Sequence, residues 1–194
     1  MSASSVTSCS VGRRRILSLW LPRLPTDRIK RQWQARGAGP ADEKPCVVVS
    51  RQNNALQVSA LDDAAARVGL DVGMPLANAR AICPDLHVFD ADEQADRRTL
   101  NGIADWCDRF TPLVALDPPY GLFLDISGCA HLFDGEAAML ETICRALVER
   151  GFVVSAAIAG TPVCARTLTR YRPGCIVAAG KERAAVWALP VFTL

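Results

Sequence analysis

Leu113-Val114-Ala115-Leu116 and Leu122-Phe123-Leu124-Asp125-Ile126 are short apolar runs held apart only by Asp117-Pro118-Pro119-Tyr120-Gly121. Such runs, bounded by proline and glycine, read as strands, and so short a link returns the second strand antiparallel to the first. A hairpin is marginal in water by itself, so this one calls for further strands beside it and helices over it. Before it, Leu100, Ile103, Cys107 and Phe110 recur at helical spacing, with Arg97, Asp105, Asp108 and Arg109 on other faces. After it, Asp134 caps a helix running to Arg150, with Leu140, Ile143 and Leu147 inward and Gly151 just past its end. Residues 152–159 read as a strand. Thr161-Pro162 is an N-cap followed by proline at the first helical position, opening a helix to about Tyr171. Residues 175–179 read as a last strand. From Ala91 the order is helix, strand, strand, helix, strand, helix, strand. Together with an apolar strand at 15–21, ended by Pro22, it predicts an α+β layer: one mixed or antiparallel sheet with helices on one face.

The stretch from Pro22 to Asp90 is then an insertion after the first strand. Residues 32–45 are polar and Gly/Pro-punctuated, a loop; residues 45–50 are a strand, Gln52-Asn53-Asn54 a turn, and 56–59 a candidate third strand. Ser59 opens a short helix with Asp62 three residues on, an acidic variant of the capping box, and Gly69 closes it. Gly73-Met74-Pro75 leads into a second helix at 76–82, stopped by Pro84, and 86–89 form a short strand or edge.

At 194 residues, half of them hydrophobic, the chain suits one generous domain or two small ones. Its 22 basic and 20 acidic residues are too balanced to point to nucleic acid by themselves. The cysteines at positions 9, 46, 83, 107, 129, 144, 164 and 175 form no Cys-x-x-Cys pair, and His87 and His131 are the only imidazoles. That spacing argues against zinc and for reduced, mostly buried thiols. Arg13-Arg14-Arg15 precedes an apolar run that ends at Pro22, too short for a secretion signal. No stretch approaches the ~20 apolar residues of a membrane span. The expectation is a cytoplasmic protein without a membrane partner.

Several of these residues carry a resemblance. The run from Asp62 to Leu76, followed by Ala79-Arg80-Ala81-Ile82-Cys83-Pro84-Asp85-Leu86, is similar to the fingers of Y-family translesion DNA polymerases. Residues 116–127 sit where that family carries Ser-Ile-Asp-Glu-Ala-Tyr-Leu-Asp on a palm hairpin, and residues 16–21 where it has a strand ending in a metal-binding Asp. Within the family the chain most resembles the ImuB-type subgroup of bacterial mutagenesis cassettes. Their hairpin reads like Leu116-Asp117-Pro118-Pro119, and a stretch like Gly128-Cys129-Ala130-His131-Leu132-Phe133-Asp134-Gly135-Glu136 follows it. The resemblance implies a ferredoxin-like polymerase palm with a small fingers insertion after the first strand. Residues 1–14 would be a disordered tail, 15–22 the first palm strand, 23–90 the fingers, 91–180 the rest of the palm, and 181–194 the start of a linker to a missing thumb.

Nucleotidyl transfer in that family is an in-line displacement at phosphorus run by two Mg²⁺ ions about 4 Å apart. Hard cations take oxygen ligands, so carboxylates must cluster. The positions implied here are degenerate. The first-strand acid falls on Trp20. On the hairpin, Asp117 matches the family's Asp, but Pro118 replaces its Glu; matched without gaps from Asp125, the pair becomes Tyr120-Gly121. The family's triphosphate-binding Tyr and Arg fall on Asp63 and Ala66, and an Asp facing a triphosphate would repel it. No catalytic residue, metal ligand or cofactor is therefore expected. Mg²⁺ enters only if a rearranged site, drawing on Asp117, Asp125 and an acid from elsewhere such as Asp27, retains polymerase activity.

Plainer readings stand beside these. Asp117, next to Pro118-Pro119, also reads as a turn residue. His131 reads as a packing residue, and Cys129 and His131 lie too close in sequence to face one another as nucleophile and base. Arg166, Arg170 and Arg172 form a basic stretch after Thr161. Arg172 precedes Pro173 where the resemblance implies a phosphate-facing cation, so Arg166 and Arg172 are candidate DNA or phosphate contacts, or else a solvated helix end. The resemblance implies a non-catalytic adaptor in DNA-damage-induced mutagenesis and translesion synthesis. Its partners would be the sliding clamp, an error-prone replicative-type polymerase, a RecA-like accessory protein and, weakly, DNA. An active translesion polymerase, a non-functional fragment and an unrelated α+β domain are the alternatives. A first strand remote from the Asp117–Asp125 hairpin would favour the last.

Overall fold

The computed structural model describes residues 14–37, 44–52 and 54–189. Residues 1–13 of the expected tail and residues 190–194 of the expected linker lie outside them. The chain runs β1 (Ile16–Trp20), α1 (Leu24–Ala35), β2 (Cys46–Gln52), β3 (Ala55–Leu61), α2 (Asp63–Arg67), α3 (Leu76–Ile82), β4 (His87–Asp90), α4 (Glu93–Cys107), β5 (Val114–Asp117), β6 (Gly121–Asp125), α5 (Glu136–Glu149), β7 (Ser155–Ala159), α6 (Pro162–Tyr171) and α7 (Glu182–Trp187).

The larger sheet has the order β5-β6-β1-β7, with every neighbouring pair antiparallel. With α4 between β1 and β5, and α5 between β6 and β7, this is a ferredoxin-like β-α-β-β-α-β layer interrupted after β1. β1 is therefore adjacent to the hairpin, as a palm requires. One face carries Leu17, Leu19, Leu122, Leu124, Ala156 and Ile158, packed under Leu100, Ile103 and Cys107 of α4 and Met139, Ile143 and Leu147 of α5. Alternate residues of the same strands, Ile16, Ala157 and Ala159, turn the other way and pack against Cys164, Ala165 and Leu168 of α6. The expectation of helices on one face is thus corrected: α6 covers part of the opposite face, because β1 and β7 carry apolar residues on both sides.

The smaller sheet, β3-β2-β4, pairs β2 antiparallel with β3 and parallel with β4. Its central strand reads Cys-Val-Val-Val with no alternation, as a strand covered on both faces must. Val47, Val49 and Val58 face Ala65, Leu70, Leu76 and Ala79, whereas Val48 and Ala60 face Ile29 of α1 and the partly buried Trp33 and Phe89.

Some local expectations change. Gln32 to Ala35 complete α1 rather than open a loop, because Ile29 and Trp33 bury against the small sheet. Ser59 lies within β3; Asp62, expected at the third position of that helix, is itself the cap of α2 and accepts from the Ala65 N–H at 2.7 Å. Gly69 follows α2 at φ +85°, a conformation glycine adopts without steric cost. Asp134 does not cap α5; it ends a 3₁₀ turn over Ala130–Phe133 in the left-handed region, and Gly135 precedes α5. Met139 is buried where Leu140 was expected. The expected strand at 175–179 shrinks to one bridge, Ile176 to Ile158. Thr161 caps α6 as anticipated, accepting from the Cys164 N–H at 3.3 Å.

Two buried acids fasten α1 to the large sheet's layer. Arg28 Nε donates to Asp96 Oδ1 of α4 at 2.7 Å, with both side chains less than a tenth exposed. Truncating one partner, Asp96→Ala, is expected to cost about 3–5 kcal/mol, because the Arg28 charge is left buried and unpaired. Replacing both, Arg28→Met with Asp96→Leu, is expected to recover most of that loss. Urea unfolding of the two variants measures both outcomes.

Asp27, also buried, accepts from the Val153 N–H at 2.8 Å. Burial pushes its carboxyl up to about 6, although that hydrogen bond and the Lys30 and Arg23 charges pull the other way. The folded state therefore holds this proton more tightly than the unfolded chain, and Asp27's contribution to stability falls as pH rises from about 4 to about 6. The difference is worth at most about 3 kcal/mol. Asp27→Asn is expected to remove that slope and to raise stability at pH 7; Tm against pH for both proteins is the check.

Candidate functional site

Backbone pairing places four residues in one row across the large sheet. Asp117 faces Gly121, Gly121 faces Trp20, and Trp20 faces Ser155. Their side-chain directions match those of Ile16, Phe123 and Ala157, so the row lies on the face that α6 partly covers. Three of the four positions carry no acid.

Asp117 is the row's one carboxylate. It is 9% exposed, and its Oδ2 lies 3.2 Å from Arg166 Nε of α6. Gly121 is fitted closely beneath it: a Cβ there would meet the Asp117 carbonyl oxygen at 2.8 Å and Oδ2 at 3.0 Å. Trp20 is half-buried, with the Arg170 guanidinium 5.3 Å above its ring, a cation–π contact. Arg170 lies one helical turn after Arg166, which brings both over the same row. Arg170 Nε is buried without an acceptor.

The other expected residues are dispersed. Asp125 lies at the far end of β6, about 13 Å from the row at the usual rise per residue. It pairs with Arg14 at 3.1 Å and accepts from the Ser127 N–H at 3.1 Å. Partial burial opposes its ionisation, but the Ser127 and Arg14 hydrogen bonds outweigh burial and hold its carboxyl below the usual range. A single ion bridging Asp117 and Asp125 is therefore excluded by distance. Pro118 lies in the turn beyond the row and lines a cavity of about 530 Å³ against α4, with Leu116, Pro119 and Tyr120. Asp63 opens α2, where Arg23 Nη2 approaches its Oδ1 at 2.5 Å and Arg23 Nη1 donates to the Leu61 carbonyl at 2.9 Å. Ala66 is exposed on the same helix. Asp27 is taken up by Val153.

Of the two expected basic contacts, Arg166 is committed to Asp117, whereas Arg172 is exposed at the C-terminus of α6. Arg15 forks onto Glu136 through Nε and Nη2 and donates to the Val177 carbonyl at 2.7 Å. Arg13 lies outside the described residues. Sequence reading missed Arg23. Its only signal is its place between two prolines just after β1, and spacing alone could not show that it reaches α2.

A two-metal centre needs carboxylates close together and free to turn toward the ions. Here the row offers one, already paired with a guanidinium. Among the described residues no group of three or more His, Cys, Asp or Glu is placed to hold a metal. The residues do not fit the Mg²⁺ pair that the fold implies. The thiols offer no alternative centre: the seven described cysteines are free, and burial pushes Cys46 and Cys107 up to about 12. No helix of the described residues is long and apolar enough to cross a membrane.

Residues 40–170 match the impB/mucB/samB family. The chain is 45% identical over 128 residues to protein ImuB of Caulobacter vibrioides (strain NA1000 / CB15N), covering 66% of this chain and 28% of that protein. It is 29% identical over 147 residues to DNA polymerase IV of Dehalococcoides mccartyi (strain CBDB1), covering 72% of this chain and 37% of the relative. The chain thus spans well under half the length of these curated relatives. Among solved structures, Dbh DNA polymerase in a post-insertion binary complex superposes with a TM-score of 0.73 at 15% identity, over 93% of this chain and 53% of that one. DinB from Sulfolobus solfataricus gives 0.67 at 15% identity, over 87% and 49%. The matched segment covers more than half of the chain and contains most of the insertion after β1 and the whole hairpin, so the chain belongs to the impB/mucB/samB family and carries the palm-and-fingers fold of Y-family DNA polymerases.

Proposed function

We propose that this chain is the polymerase-like core of a non-catalytic adaptor in DNA-damage-induced mutagenesis and translesion synthesis. The observation that carries the reading is the row itself: its one carboxylate, Asp117, is paired with Arg166, and Trp20 and Gly121 stand where further acids would be needed. A second, separate observation supports it. Asp63, at the position matched to a triphosphate ligand, is an anion already held by Arg23. Metal and nucleotide positions are each filled by an internal ion pair or a residue without ligand atoms.

On this reading residues 15–22 and 91–180 form the palm, residues 23–90 the fingers, and residues 181 onward lead toward a thumb. The protein works in the cytoplasm on DNA bound weakly by this part of it. Of Arg166 and Arg172, it is Arg172 that is left open to a phosphate. The sliding clamp, an error-prone replicative-type polymerase and a RecA-like accessory protein are its partners, and the partner polymerase supplies the nucleotidyl transfer. The identity to protein ImuB supports the mutagenesis role.

Asp117→Asn separates an adaptor from a polymerase. Introduced into the gene in its native host, it is expected to leave ultraviolet-induced mutation frequency near the wild-type value. Loss of most ultraviolet-induced mutation, in a variant that melts like the wild type, would make the protein an enzyme. In vitro, Mn²⁺ titration followed by electron paramagnetic resonance is expected to show no stoichiometric site. One or two bound ions that disappear in Asp117→Asn would overturn the proposal.

A further inference from the structure

On the side of the large sheet covered by α4 and α5, away from the row, a groove of about 520 Å³ opens between α1, α4 and the end of α5. Its lining contains no carboxylate but three arginines, Arg28, Arg31 and Arg150. Asp96 balances Arg28. Arg31 and Arg150 have no ion pair among the described residues. Instead Arg31 lies 4.4 Å over the Phe152 ring and Arg150 lies 4.9 Å over Trp106. Arg150 Nη1 donates to the Ala146 carbonyl at 2.7 Å, which leaves its other N–H groups for a ligand, and a guanidinium stacked on a ring loses little further freedom on binding a carboxylate. Trp106 Nε1, in the same wall, is buried and has no acceptor.

Between these cations the wall is apolar, with Ile103 and Leu147, and includes Gly102 in the middle of α4. Glycine inside a helix costs about 1 kcal/mol relative to alanine. Here a Cβ would meet nothing within 4 Å, so packing does not require the glycine, and its effect is to leave the groove open.

We infer that this groove docks an acidic peptide segment of a protein partner. Arg31 and Arg150 take its carboxylates, and Ile103, Trp106 and Leu147 take an apolar side chain between them. The volume falls within the range of sites for short segments and small ligands. Single-stranded nucleic acid is the poorer match, because it needs a basic track along several phosphates and this concavity offers two unpaired cations. The inference stands on the groove alone and does not depend on the adaptor reading.

Fluorescence anisotropy tests it with three labelled probes: a short peptide alternating glutamate and leucine, a lysine–leucine peptide of equal length, and an oligothymidylate. The glutamate–leucine peptide is expected to bind saturably and the lysine–leucine peptide not at all. Arg31→Glu and Arg150→Glu are each expected to weaken binding about tenfold or more, the usual worth of a charge-assisted hydrogen bond. Gly102→Leu, which fills the groove, should weaken it comparably. Arg51→Glu, an exposed charge reversal on β2, should leave it unchanged. Thermal melting identifies the variants that are folded, and Gly102→Leu decides the matter if a charge reversal is not. Absence of saturable binding, wild-type affinity in folded Gly102→Leu, or oligothymidylate binding lost in the same variants would each overturn the assignment.

Discussion

β1 carries no charged side chain and lies between β6 and β7, so apolar groups must cover both of its faces. Leu17 and Leu19 bring α4 and α5 onto one side. On the other, Ile16 and Ser18 bring α6, whose Thr169 hydroxyl is shared between the Ala165 carbonyl of its own helix at 2.8 Å and the Ser18 carbonyl at 3.2 Å. That contact is buried and sets the last turn of α6 against the middle of β1. With α6 so fixed, its polar edge has only one place to go: Arg166 reaches Asp117 and Arg170 lies over Trp20. The chemistry of the row thus follows from how its central strand is covered.

Asp117 is nearly as buried as the core around it, and a carboxylate taken that far from water needs a cation or a proton. In a metal centre the ions would serve, and a guanidinium close by would compete with them for the same oxygens. Here Arg166 serves, and the neighbouring positions hold an indole and a glycine, which make no demand for positive charge. The arrangement is self-consistent: one acid, one base, and a cation–π contact beside them. Removing an acid from a clustered site would leave an excess of positive charge. In this row no such excess remains at Asp117.

Much of this was legible in the chain. The Pro-Pro hairpin, the Thr161-Pro162 helix start and the short apolar strands fixed the layer, because each is local and set by residue type. That Trp20, Pro118 and Gly121 are not acids is plain from residue identity alone. What could not be read was pairing across long separations. Arg23 meets Asp63 forty residues on, and Arg166 meets Asp117 from a different helix; neither spacing carries a periodic signal. The second face of the sheet was missed for a related reason. Residues 152–154 are apolar and extend the expected strand, while Ser155–Ala159, three of whose five residues are alanine, alternates too weakly to show that both sides are buried.

A single substitution would not turn the row into a cluster of free carboxylates. A glutamate at position 121 would place its Cβ 2.8 Å from the Asp117 carbonyl, so the hairpin would have to shift before any carboxylate could be used. An aspartate at position 20 would lose the indole under Arg170 and meet a guanidinium already in place, which favours an ion pair over a free ligand. Arg166 would still hold Asp117. The row is therefore maintained by contacts that reinforce one another and are spread over β1, β5, β6 and α6 rather than lodged in one residue.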